Sequence, residues 1–139
     1  MHRTFFRTAA ILAMLSVMLG AFGAHALKGH LSEQSLASFQ TATTYMMSHA
    51  VALFIIGMMY RHYKTKTMVW SGNFFVMGII MFSGSIYLRI TLSYMGYDKL
   101  AIVNFITPIG GLMFILGWLM LFVSIPPREH HEKAAQSDD

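Results

Sequence analysis

The chain has 139 residues, of which 55% are hydrophobic and only 12% charged, about half the roughly 25% charged content of soluble domains. That composition excludes an ordinary water-soluble fold, and the net charge of +4 then points to orientation across a bilayer rather than to nucleic acid. The absence of cysteine removes disulfide exchange, thiolate metal sites, lipid-modified cysteine anchors and cysteine nucleophiles.

A span needs about 20 mostly apolar residues to cross roughly 30 Å of hydrocarbon. Four stretches approach that length: 5–27, 42–60, 68–92 and 101–125. No backbone polar group can stay unpaired in lipid, so each is expected to be helical. The fold class expected is therefore all-α, an integral membrane four-helix bundle over residues 1–127 with a polar cytoplasmic tail, 128–139, after Pro126 and Pro127. The thirteen methionines are scattered through the apolar runs, as flexible packing residues are.

In the first span, Arg3 and Arg7 precede the apolar stretch and Ala24-His25-Ala26 imitates a signal-cleavage site. Gly20 and Gly23 argue for a retained helix, because small residues at that spacing serve helix packing. After it, Leu31, Leu36 and Phe39 sit among Ser, Gln and Glu, Ser32 is suited to cap a helix and Glu33 to its positive first turn. A short helix lying on the outer surface is expected there. In the second span Tyr45 and His49 are four residues apart and share a face. The third is expected to begin near Ser71-Gly72-Asn73 and carries Gly78, Ser83, Gly84, Ser85 and Arg89. The fourth carries Asn104, Thr107, Pro108, Gly110, Gly111 and Gly117; it either starts at Pro108 under a Thr107 cap or runs longer and kinks there.

Counting Lys and Arg orients the bundle. Arg3, Arg7, Arg61, Lys64, Lys66, Arg128 and Lys133 share one side and Lys28, Arg89 and Lys99 the other, so both termini are expected in the cytoplasm. This orientation gathers a candidate polar pocket at the outer face from His25, Tyr45, His49, Ser83, Ser85 and Thr107, with Asn104 nearby. Ionisable groups at membrane depth are functional candidates, and the partners expected are His25 with His49, and Arg89 with Glu33 or Asp98. The plainer alternative is structural: a neutral histidine bonded to a neighbouring helix, and an arginine reaching water along its stem. Two histidines on adjacent helices are weak candidates for haem or metal, and no motif specifies either, so no cofactor is expected. His130-His131 sits in the polar tail. The spans contain no carboxylate of the kind a proton-coupled exporter carries, and no phosphate-binding loop or nucleophile elbow is present.

The segments Gly20–Leu27, Phe39–Ala42 with Tyr45 and His49-Ala50, Phe82–Tyr87, and Ile106–Gly111 with Gly117-Trp118 resemble the YgdD/YwdK-like family of small bacterial membrane proteins. That family is a domain of unknown function with an animal transmembrane counterpart. The resemblance implies a four-span inner-membrane protein that keeps its first helix, and no established reaction. Its motifs fall on His25, Tyr45, His49, Ser83, Ser85, Tyr87, Thr107, Pro108, Gly110 and Gly111; Arg89 departs from it, since the family usually has an apolar residue there. The expected function is that of a non-enzymatic multi-pass protein acting through membrane packing, as a homo-oligomer or an accessory component. The alternative is a transport or binding protein that holds a small ligand, metal or haem in the outward pocket.

Overall fold

A computed structural model describes residues 2–97 and 102–125. The polar tail, Asp98 and Lys99 lie outside the described residues, as does the side chain of Asn104. The elements in order are α1 (His2–His25), α2 (Glu33–Met59), α3 (Lys66–Gly78), one π-helical turn (Ile79–Ser83), α4 (Gly84–Tyr94) and α5 (Ile102–Ser124). Among the described residues there is no strand. Four helices are long and apolar enough to cross a membrane: Arg3–His25, Glu33–Met59, Lys66–Tyr94 and Phe105–Ser124. The third of these is continuous through α3, the π turn and α4.

The expected surface helix in the first loop is not a separate element. Ser32 caps a helix as its sequence suggests, its side chain accepting from the Ser35 N–H at 3.2 Å, but that helix runs without interruption to Met59. The reason is local. No proline or glycine breaks the chain before Gly57, and Phe39 and Ala42 are already buried against the bundle. The hydroxyls of Ser38, Thr41, Thr43 and Ser48 donate to carbonyls four residues back, so they cost the helix little. Reversal between α1 and α2 falls to Gly29, whose φ of 95° suits a residue without a Cβ.

The third span also departs from expectation at both levels. It begins earlier, at Lys66 behind a Thr65 cap that accepts from Met68 N–H, and Ser71 is fully buried rather than terminal. Midway, the N–H of Gly84 bonds the carbonyl of Ile79 five residues back, so the helix holds one extra residue in that turn. The fourth span is one helix with Pro108 inside it, which settles the choice in favour of the longer element.

α1 packs along α2 and α3 along α5, and the π turn meets both α2 and α5. The core joins Phe5 and Ala9 of α1, Met46, Leu53 and Ile56 of α2, Met68 and Phe75 of α3, and Phe114 of α5. Between α3 and α5 the fit is reciprocal: a Cβ on Gly78 would lie 2.5 Å from the Phe114 ring, and one on Gly117 would lie 2.5 Å from the Phe75 ring. Each helix thus offers a ring three residues from a notch, and the antiparallel partner offers the complement.

Candidate functional site

His49 lies in the middle of α2, not near its start. Because α2 starts at Glu33, the residue is sixteen positions, about 24 Å, from the beginning of its helix and ten from its end. Its side chain is buried, with the ring stacked on Phe114 at 3.6 Å between centroids and 13° between planes. Both nitrogens are engaged. Nδ1 stands 2.8 Å from the Tyr45 carbonyl, which can only accept, so Nδ1 carries the proton; Nε2 then accepts from the Trp118 indole N–H at 3.2 Å. Tyr45 is partly exposed and stacks on Phe82 at 4.7 Å, forming the far wall of the same aromatic cluster.

The expected pairing of His25 with His49 does not form. Gly23 is seated against the Phe39 ring, which sets the end of α1 level with a position ten residues before His49, about 15 Å along the helix. His25 is exposed there. That separation is too great for two ligands of one metal ion or haem iron, and among the described residues no three His, Asp or Glu side chains gather at metal-binding distance.

The remaining candidates divide between two helix contacts. Ser83 is fully buried and donates to the Ala42 carbonyl of α2 at 2.8 Å. Ser85 donates to the Phe82 carbonyl at 3.0 Å and stands 2.7 Å from Thr107 Oγ1 of α5, so Thr107 supplies the proton of that second bond. A Cβ on Gly110 would meet Phe82 N at 2.4 Å, the shortest such distance to backbone among the described glycines, and it occurs at the π turn. A Cβ on Gly20 would make an ordinary 3.6 Å contact with Thr43, one on Gly111 would lie 4.0 Å from the Phe82 ring, and one on Gly84 would meet nothing within 4 Å.

Sequence reasoning gave no partner to Ser16, Ser71, Tyr87 or Trp118, and named Tyr87 only through a family motif. Ser16 donates to the Thr43 carbonyl at 2.9 Å, Ser71 to the Gly117 carbonyl at 2.7 Å, and the Tyr87 hydroxyl stands 3.0 Å from Thr43 Oγ1. Trp118, the donor to His49, was visible only as part of a family motif. A buried serine in a span is a weak signal by itself, since Ser71 reads equally well as the start of a helix.

A cleft of about 460 Å³, with hydroxyls and one arginine set among Ile86, Ile90 and Pro108, opens where α2 and α5 begin and α4 ends. Ser35, Ser38 and Thr41 line it from α2, Arg89 and Ser93 from α4, and Thr107 from α5. Of the pocket expected from the sequence, only Thr107 reaches it. Arg89 is exposed, and among the described residues it forms no ion pair; Glu33 is not its partner, and Asp98 lies outside those residues. A second cavity of about 440 Å³, mostly apolar, flanks it and shares Ile90 of α4.

A family model described as a protein of unknown function, DUF423, matches residues 19–111. A UPF0382 membrane protein of Staphylococcus aureus is 41% identical over 115 residues, covering 83% of this chain and 88% of its own length. Relatives of the same description in Staphylococcus epidermidis and Staphylococcus saprophyticus are 38% and 39% identical, covering 88% and 87% of this chain and 94% and 95% of theirs. No solved structure matches the chain.

Proposed function

The chain belongs to the DUF423 family of small bacterial membrane proteins of unknown function, and from that premise we propose a non-enzymatic inner-membrane component that acts by packing. Its expected partners are the bilayer and either further copies of itself or another membrane protein to which it is an accessory. Both termini are assigned to the cytoplasm on the seven-to-three division of Lys and Arg.

One observation carries the reading: among the described residues, five of the six buried polar side chains join helices, Ser124 alone bonding only within its own helix, to the Leu121 carbonyl. Ser16, Ser71 and Ser83 each bond a carbonyl of another helix, Ser85 bonds Thr107, and His49 bonds Trp118. Among the described residues no buried side-chain nitrogen or oxygen is left without a partner. Polar groups used in this way specify helix arrangement rather than chemistry on a substrate. The outward faces of α1 and α5, with Val17, Met18, Phe22, Ile115, Phe122 and Val123 exposed, supply apolar surface for lipid or a partner helix.

The test is light scattering on the protein purified in a mild detergent, with in-membrane crosslinking beforehand. A discrete oligomer or a stoichiometric co-purifying membrane protein is expected. A lone monomer, uncrosslinked in the membrane, would refute the reading.

A further inference from the structure

We propose that the hydroxyl-bearing cleft between α2, α4 and α5 binds a glycerol-phosphate group, with the phosphate against Arg89 and the start of α2, and the glycerol hydroxyls against Ser38, Thr41 and Thr107. The assignment goes beyond the packing role and does not depend on it. Among the described residues Arg89 is the only formally charged one lining the cleft, and no described carboxylate neutralises it. Gln34 and Ser35, in the first turn of a 27-residue helix, add the positive end of its dipole. Arginine's planar fork matches a phosphate geometrically as well as electrically.

The hydroxyls sort by whether their protons are already committed. Ser38 donates to the Gln34 carbonyl, Thr41 to the Ala37 carbonyl and Thr107 to Ser85, so these three oxygens face the cleft as acceptors. Ser35 and Ser93 keep their protons uncommitted among the described residues and remain donors beside Arg89. A bare anion would satisfy the donors but meet lone pairs at Ser38, Thr41 and Thr107. A phosphate ester bearing free hydroxyls satisfies both sets. The adjoining apolar cavity, lined by Phe22, Leu27, Leu31 and Tyr94 and reached past Ile90, is where an acyl chain on the same glycerol would lie.

The experiment follows thermal unfolding of the full chain in a neutral maltoside detergent while one of three probes is titrated: free glycerol phosphate, inorganic phosphate, or phosphatidylglycerol doped into the micelles. A saturable rise in Tm with glycerol phosphate assigns the site to the free ester, and a rise with phosphatidylglycerol alone assigns it to the lipid; either supports the proposal. Arg89→Gln should raise the midpoint concentration about tenfold or more, Arg89→Lys should restore part of it, and Arg61→Gln, at the far end of the bundle, should leave it unchanged. Thr41→Val, at an exposed position, should weaken glycerol phosphate more than inorganic phosphate. The proposal is overturned if the wild-type protein responds to neither ester, if Arg61→Gln weakens binding as much as Arg89→Gln does, or if Thr41→Val weakens both free anions equally.

Discussion

Replacing Gly110 by alanine puts a methyl group 2.4 Å from Phe82 N, 2.8 Å from Met81 C and 2.8 Å from Phe82 Cα. All three atoms belong to backbone, so no rotamer change relieves the overlap. To reach the 3.4 Å of ordinary contact, α5 and the π turn must separate by about 1 Å, the difference between 3.4 and 2.4. That movement also stretches the 2.7 Å Ser85–Thr107 bond and unseats Phe114 from the Gly78 notch. Overpacking of this kind costs about 1–3 kcal/mol, offset by up to about 1 kcal/mol because alanine favours the helix. Net destabilisation of about 1–2 kcal/mol is expected, read as a lowered midpoint in detergent-titrated unfolding followed by far-UV circular dichroism. Gly84→Ala is the matched control: the same chemical change, within the neighbouring third span, with nothing within 4 Å of the new atom. It should be neutral or stabilising by up to about 1 kcal/mol. If the two variants unfold together, the close approach at the π turn is not real.

The His49–Trp118 bond predicts a coupled pair. In a double-mutant cycle with His49→Phe and Trp118→Phe, the coupling should be about 0.6 kcal/mol and no more than about 1.7; strict additivity would remove the bond from the account. Nitrogen NMR of ¹⁵N-histidine-labelled protein should find the proton of His49 on Nδ1, and the Nε2–H tautomer would reverse the assigned direction. Deleting Ile80, which is 60% exposed, should convert the π turn to α-helix. Everything beyond it would turn by about 100°, and stability should fall although the backbone ladder becomes regular; an unchanged midpoint would mean the turn is incidental. Reporter fusions after Lys64 and after Asp139 should both report cytoplasm, and opposite compartments would cancel the assigned orientation.

The spans were legible because a run of apolar residues interrupted by charge is a long signal, averaged over some twenty positions. The site was less legible, and two elements show why. The surface helix expected around Ser32–Phe39 came from reading polar residues as leaving the bundle, whereas Ser38 and Thr41 fold their hydroxyls onto their own helix and Phe39 enters the core. That misplacement moved the start of α2 by nine residues, from 42 to 33, and so brought His49 too close to the rim. The Ser83–Ser85 stretch is the second case. The two serines were assigned to one cavity because both lie toward the same end of the third span, but two residues apart on a helix they point about 200° apart, so Ser83 bonds α2 while Ser85 bonds α5. Arg89 was visible from the start as a charge near a span end; only the packing of three helix ends shows that it faces a cleft rather than open solvent.

The distribution of the polar bonds follows from the solvent. Between helices in lipid there is no hydrophobic gain from excluding tails that are as apolar as leucine, so shape and hydrogen bonds must decide which helix lies beside which. In this chain the contacts α1–α2, α2–α4, α2–α5, α3–α5 and α4–α5 each carry a side-chain hydrogen bond: Ser16 to Thr43, Tyr87 to Thr43, Trp118 to His49, Ser71 to Gly117 and Thr107 to Ser85. Any one of them contributes on the order of 0.6 kcal/mol, too little to hold a helix in place. Spread over five interfaces, they penalise every alternative packing, because a wrong neighbour strands a hydroxyl or an indole N–H in hydrocarbon. Removing Ser71 alone should therefore leave the protein folded, with a loss within about 1 kcal/mol, while Ser71→Ala combined with Ser83→Ala should broaden the unfolding transition as α3 and the π turn lose both of their polar ties to α5 and α2. A double variant that unfolds as sharply as the wild type would mean that the glycine and phenylalanine notches alone determine the arrangement.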